Sequence, residues 1–177
     1  QLCLMTAQIA NGGYKIKPKI IVNNNPLSLE DAKTSMELQS LQTPHTKLFN
    51  DQKNIKIVQE AMFSSTNEQY GTSYKSRIDD PKYQFAGKTG TAQVKRISMR
   101  ERELDLKLEQ IPYKDRDHAL YVAYGPYKNP RYALSIIVEH GGSGSKAAAP
   151  MAKELFKLII DRHDLRDKQT NFENINI

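Results

Sequence analysis

The chain has 177 residues, a formal net charge of +6, 38% hydrophobic and 26% charged residues, and one cysteine. Its mean hydropathy is −0.65. These values exclude a disordered chain, allow one domain with its own core, and leave no apolar run near the ~18 residues a membrane helix needs. Cys3 cannot form an internal disulfide and argues against a cysteine-based metal site. The pI of 9.3 would suit nucleic acid, anionic lipid or an acidic polymer. The charges alternate in sign, however, as in "KRISMRERELDLKLEQ", which reads as a solvated surface.

No signal peptide is visible, and "LCLMTAQIAN" reads as a helix already under way at Gln1. The chain is therefore expected to be a piece of a longer protein. Leu2, Met5, Ile9 and Ala10 recur at helical spacing, and Asn11-Gly12-Gly13 supplies the stop. Residues 14–22 alternate apolar and basic side chains, predicting a half-buried strand that Pro18 restricts to an edge. Residues 27–50 are polar and weakly patterned, a loop with short helical pieces. A second helix is expected from Asn50, with Ile55, Val58 and Met62 on one face.

A strand then carries "FAGKTGTAQV" (85–94), and Ser98-x-x-Glu101 opens a predicted helix with Leu104, Leu108 and Ile111 on one face, stopped by Pro112. "HALYVAYG" (118–125) and "RYALSIIVEH" (131–140), joined by a Pro- and Asn-containing turn, predict a hairpin. A Gly-Ser loop leads into a long amphipathic helix, and the segment from Asp164 is expected to be a loose polar tail. Strands joined by a hairpin and interleaved with helices argue for an α+β fold, an antiparallel β-sheet flanked by helices. The expected division is 1–163 as the folded unit and 164–177 as the tail.

Lys88-Thr89-Gly90-Thr91 is the stretch that calls for chemistry. A lysine and two hydroxyls around a glycine suit a carboxylate ligand. The glycine, which weakens a strand, marks a place where a ligand approaches the backbone. A backbone N–H freed there can serve a developing oxyanion. For the tetrapeptide alone, an incidental surface strand is the competing reading.

The wider context is "GTSYKS…YQFAGKTGTAQV…DHALYVAYGPYKNPRYALSIIVEHGGSGSKAAAPMAKEL". It resembles the C-terminal half of the transpeptidase domain of class B penicillin-binding proteins, and among them the elongation-type penicillin-binding protein 2 group. The Lys-Thr-Gly strand is one of that superfamily's signatures, beside Ser-x-x-Lys and Ser-x-Asn. "QLCLMTAQIANGG" resembles the helix the family carries upstream, so the likeness spans roughly residues 1–163.

The resemblance implies a serine β-lactamase/transpeptidase-like fold and a peptidoglycan D,D-transpeptidase that works through an acyl-enzyme without a cofactor. Its implied partners are a stem peptide ending in D-Ala-D-Ala, β-lactam antibiotics, and in the intact protein a membrane glycosyltransferase and elongation-complex proteins. Nucleic acid is not among them. The implied location is the bacterial inner membrane, with one N-terminal anchor and a periplasmic catalytic domain. Carried onto this sequence, Lys88 helps hold the substrate carboxylate. Thr89 supports the strand from its other face, Gly90 keeps the strand clear of a side chain, and the Thr91 hydroxyl binds the carboxylate. The Thr91 backbone N–H is half of the oxyanion hole.

Two strings match the other signatures by letter only. Ser143-Gly144-Ser145-Lys146 reads Ser-x-x-Lys but follows Lys88, whereas the family nucleophile precedes it. Ser65-Thr66-Asn67 reads Ser-x-Asn but sits at a helix end, as does Ser64. The nucleophile and general base that covalent catalysis needs are thus expected outside this chain, so the chain alone is expected to be inactive and to self-associate. His118 and His140 with Asp117 nearby could in principle hold a metal, but they read better as strand-end hydrogen bonders. Tyr121, Tyr124, Tyr127 and Tyr132 read as packing rather than base stacking, and no metal is expected. Lys95, Arg96, Arg100 and Arg102 form a basic patch beside the site. A serine β-lactamase or β-lactam sensor is the rival enzyme reading, and a basic nucleic-acid module the rival of another class.

Overall fold

The computed structural model describes residues 1–18, 46–96, 99, 103–104 and 106–175. Its centre is a three-stranded antiparallel sheet in sequential order, β1 (Ala86–Ala92), β2 (His118–Gly125) and β3 (Tyr132–Val138). The register runs Ala86 opposite Tyr124 to Ala92 opposite His118, and Ala119 opposite Val138 to Gly125 opposite Tyr132. The hairpin joining β2 to β3 is where the turn chemistry of residues 126–130 placed it.

Each face of the sheet has its own helical cover. Helix α3 (Ala149–Ile175) presents Ala149, Ala152, Phe156 and Ile160 at helical spacing to Phe85, Tyr121 and Ala123. Phe85 stacks on Phe156 at 4.8 Å between centroids and meets Tyr121 edge-on at 6.5 Å. Rings this buried contribute about 1.5–3 kcal/mol each. On the other face, α1 (Leu2–Ala10) and α2 (Gln52–Asn67) close a smaller core of Met62, Ala86 and Tyr124, edged by Ile9, Phe63 and Tyr127. Asp51 caps α2 by accepting from the Lys53 N–H at 2.8 Å. The positive φ of Gly12 and Gly13 ends α1 as the sequence indicated.

Several expectations are corrected. In α1 the fully buried side chain is Thr6, whose hydroxyl donates to the Leu2 carbonyl at 2.8 Å, while Leu2 and Met5 are exposed. In α2 the inward face runs through Ile55, Gln59, Met62 and Thr66, and Val58 points to solvent. Gln59 belongs there because its amide donates to the Ile9 carbonyl at 2.7 Å, tying α2 to the end of α1.

The strand expected over 14–22 is reduced, within its described part, to one bridge between Tyr14 and Lys47, and residues 19–22 lie outside the described residues. Ser98 and Glu101 of the expected capping box also lie outside them. Leu108–Gln110 is a single 3₁₀ turn and Leu104 is exposed, so no shared apolar face forms. The last helix does not stop at Asp164 but runs to Ile175, so the described part of the segment expected to be loose, residues 164–175, is helical. A π-helical turn, Gly144–Ala148, occupies the expected Gly-Ser loop. No helix among the described residues is long and apolar enough to cross a membrane.

Candidate active site

Among the described residues β1 and β3 are the two edge strands of the sheet, and the two halves of β1 are treated differently. In an antiparallel ladder, alternate residues bond to one neighbour and turn their peptide groups the other way. The Asn67 amide donates to the Phe85 carbonyl at 2.9 Å, and the Thr66 hydroxyl lies 3.4 Å from the Gly87 carbonyl. Odd-numbered peptide groups therefore face away from β2, and α2 covers those of the first half. The same alternation turns the peptide groups of Thr89 and Thr91 onto the edge beyond the end of α2. Residues 88, 90 and 92 pair inward with Val122, Leu120 and His118.

The side chains of the signature flank that edge. Lys88 is exposed on the α1/α2 face of the sheet, and its Nζ donates to the Thr89 carbonyl at 3.0 Å, so the ammonium folds over the open edge. Thr89 and Thr91 share the opposite face, as a period of two requires. Thr89 thus lies on the face opposite Lys88, which it shares with Thr91. The Thr89 hydroxyl lies 3.3 Å from that of Thr72, which lies 3.2 Å from that of Ser65. Thr91 is exposed.

The two glycines of β1 differ in what they tolerate. A methyl at Gly87 would overlap the Tyr121 ring and hydroxyl, whereas a methyl at Gly90 would meet Leu120 Cβ at 3.4 Å, an ordinary contact. Packing within this chain demands the first glycine and leaves the second free.

A buried hydroxyl cluster fixes the first half. Tyr121 Oη lies 3.0 Å from both Thr66 Oγ1 and Ser73 Oγ, and Ser73 donates to the Ser65 carbonyl at 3.0 Å. All three side chains are buried. Burial pushes the Tyr121 phenol up from its ordinary value, against the two hydroxyl hydrogen bonds. This cluster escaped the sequence reading, because it joins the end of α2 and the turn after it to β2, 55 and 48 residues further along the chain, and carries no charged residue.

The letter matches are resolved by position. Ser143 precedes the π turn on the α3 side of the sheet, the face opposite Lys88, with its hydroxyl 3.0 Å from that of Ser145, and Lys146 is exposed. Asn67 spends its amide on the Phe63 and Phe85 carbonyls and so closes a strand edge. His118 and His140 lie ring to ring at 4.8 Å and bond to backbone groups of their own neighbourhood.

Tyr121 and Tyr124 are core, Tyr127 packs on Phe63 at 4.2 Å, and Tyr132 bonds to His163 at 2.6 Å. Burial also pushes the Tyr124 phenol up. In the basic patch, Lys95 pairs with Asp115 at 3.4 Å and Arg96 is exposed, while Arg100 and Arg102 lie outside the described residues.

The family model for the penicillin binding protein transpeptidase domain matches residues 1–157. The peptidoglycan D,D-transpeptidase MrdA of Salmonella typhimurium is 32% identical over 161 residues, covering 91% of this chain and 24% of that protein. The MrdA protein of Haemophilus influenzae is 28% identical over 162 residues, covering 92% and 23%.

Among solved structures, penicillin-binding protein 2 of Helicobacter pylori in complex with MreC superposes with a TM-score of 0.61 at 28% identity, over 88% of this chain and 24% of that one. Pseudomonas aeruginosa PBP2 in complex with WCK 5153 does so with a TM-score of 0.59 at 30% identity, over 87% and 28%. This chain spans about a quarter of the length of the curated relatives it matches. With a sheet that superposes on these structures and a family model that runs through both the Lys-Thr-Gly strand and the hairpin, the chain belongs to the penicillin-binding protein transpeptidase family.

Proposed function

We propose that this chain is the substrate-binding part of a peptidoglycan D,D-transpeptidase. The observation that carries the reading is the open half of β1. There the outward peptide groups of Thr89 and Thr91 lie beside the Lys88 ammonium, at a glycine that packing does not require. An extended peptide laid along that edge finds backbone partners, and its terminal carboxylate finds Lys88 and the Thr91 hydroxyl. The Thr91 N–H points where an oxyanion forms when a serine hydroxyl adds to the D-Ala-D-Ala carbonyl. The C–N bond then breaks, D-Ala leaves with the proton, and an amine of a second stem peptide displaces the serine from the acyl-enzyme. A β-lactam acylates the same serine, and no cofactor is needed.

The serine and its base come from the part of the protein that precedes this segment in its relatives. On this reading the intact enzyme sits at the inner membrane through one N-terminal anchor, with this domain in the periplasm. Its partners include a membrane glycosyltransferase and elongation-complex proteins. The Helicobacter pylori relative's complex with MreC supports the latter class.

In the full-length protein, Lys88→Ala or Thr91→Val should slow acylation by fluorescent penicillin at least tenfold with the thermal midpoint unchanged. A charged hydrogen bond is worth roughly 1.5–3 kcal/mol. Rates within threefold of wild type for both variants would remove these residues from the site. The isolated 177-residue chain should not be labelled. With Met5, Ile57 and Val58 exposed, it should self-associate, and light scattering should give a mass above 20.2 kDa. A clean monomer would show that this segment needs no cover.

A further inference from the structure

The open half of β1 is backed by Gly144. Gly144 lies against the paired backbones of Gly90 and Leu120, so close that a methyl there would overlap the Leu120 carbonyl and reach the Gly90 oxygen at 2.8 Å and nitrogen at 3.2 Å. The position of the Gly90–Thr91 peptide therefore depends on the turn that delivers Gly144. That turn, residues 139–143, contains His140, a non-glycine residue held at φ 55. The left-handed region costs such a residue roughly 1–2 kcal/mol, so surrounding bonds must impose it.

The turn closes on its own Gly141 N–H to Val138 carbonyl bond at 3.1 Å, and three further bonds hold it from one strand start. The His140 N–H donates to His118 Nδ1 at 2.9 Å. His140 Nδ1 lies 3.0 Å from the Arg116 carbonyl, which makes it the donor. The Gly142 N–H donates to the Asp117 carbonyl at 2.8 Å. From the other side, the Asp117 carboxylate accepts from the Val94 N–H at 3.2 Å, just past the end of β1. His118 itself stands opposite Ala92, the residue after Thr91. The start of β2 thus ties together the end of β1 and the turn behind it.

Within that knot, His118 Nδ1 is the one side-chain acceptor for the strained residue's amide. The bond fixes the tautomer: Nδ1 carries the lone pair and Nε2 the proton.

We propose that His118 is a positioning residue for the reaction: through the His140 amide it holds the turn that seats Gly144 behind Gly90, and so sets where the Thr91 N–H points. The inference rests on the transpeptidase reading of β1 and assigns His118 no contact with substrate. An oxyanion donor works only when it is already in place as charge develops. Loss of the tether should therefore lower the acylation rate constant more than the affinity for the β-lactam.

The test uses the full-length protein and measures the affinity and the acylation rate constant for a fluorescent penicillin, counted on folded molecules, with the thermal midpoint alongside. His118→Asn places its Oδ1 acceptor near the position of Nδ1. His118→Phe keeps a ring and removes the acceptor. Expected is a rate constant within threefold of wild type for Asn and at least tenfold lower for Phe, with affinity changed less than threefold in both. If His118→Phe does not fold, His118→Gln, whose acceptor sits nearer the Nε2 position, gives the same contrast with Asn. A Phe (or Gln) variant that loses thermal stability but acylates at the wild-type rate would show a merely structural histidine. Equal slowing by Asn and by the variant lacking the acceptor would also overturn the proposal. A wild-type protein that takes no label would instead overturn the transpeptidase reading itself.

Discussion

The first and second halves of β1 are one strand with two environments. Residues 85–87 are fully buried, their outward carbonyls taken by Asn67 and Thr66, and Tyr121 fills the space a side chain at Gly87 would need. Residues 88–92 are exposed or half-buried, with their outward peptide groups beyond the end of α2. The difference shows how a fold can hold a binding edge rigid without blocking it: the strand is clamped at one end and backed by Gly144 at the other. An uncovered edge normally invites unwanted pairing; on the transpeptidase reading proposed above, the half left open beside a lysine receives a strand-like ligand.

The comparison breaks most visibly at the two glycines. Gly87→Ala should destabilise the protein by about 3 kcal/mol, since the methyl must displace a fully buried tyrosine. Gly90→Ala should leave the unfolding free energy within about 0.5 kcal/mol of wild type yet slow acylation about tenfold to a hundredfold, because it displaces substrate on the open edge. Thermal melts with acylation rates on both variants decide it. Equal stability losses would mean that both glycines serve packing, and the contrast between the halves would be gone.

A smaller effect comes from the strap between the β1 approach and α3. Lys82 donates to Asp161 at 2.8 Å and reaches Asp164 at 3.0 Å. The hydrogen bond to Lys82, then that to Tyr83, holds the Asp161 carboxyl below its ordinary value. The bond to Asp161 leads those that raise Lys82. A depressed carboxyl contributes stability above its unfolded value and loses it as pH falls through the folded one. A raised lysine contributes below its unfolded value and loses it only as pH rises through the folded one. The strap should therefore be constant through neutral pH and weaken in acid. Asp161→Asn should shallow the acid limb of the stability profile slightly and leave acylation at neutral pH untouched. An unchanged acid limb would count the pair as surface decoration.

How far this could be read from the amino acids differs by element. The hairpin was legible because Pro and Asn punctuate two β-branched and aromatic runs. The end of α1 was legible because Asn11-Gly12-Gly13 carries local stop chemistry; α2 was expected from Asn50 on apolar spacing, and its Asp51 cap is seen only in the structure. The Lys-Thr-Gly strand was legible from its own letters and their surroundings. Helix faces were not. Thr6 and Thr66 are buried because each hydroxyl lies within reach of the carbonyl four residues back, 2.8 Å in one case and 3.4 Å in the other. Gln59 turns inward because α1 ends in carbonyls it can reach. Apolar spacing reports none of these partners. The His118–His140 tether was equally hidden. Both histidines were noticed, but a bond from a backbone N–H to a ring across two strand ends leaves no pattern in sequence. The course of the last helix beyond Asp164 was missed because its polar residues do not mark a core face, although they permit a helix.

The central claim is that the peptide groups of β1 alternate between sheet and substrate. Amide hydrogen exchange across β1, in the full-length protein before and after acylation by a β-lactam, tests it most directly. The Gly90 N–H, which pairs with Leu120, should exchange slowly in both states. The Thr91 N–H should exchange fast in the free enzyme and become protected in the acyl-enzyme. Protection of Thr91 before acylation, or no change on it, would contradict the claim.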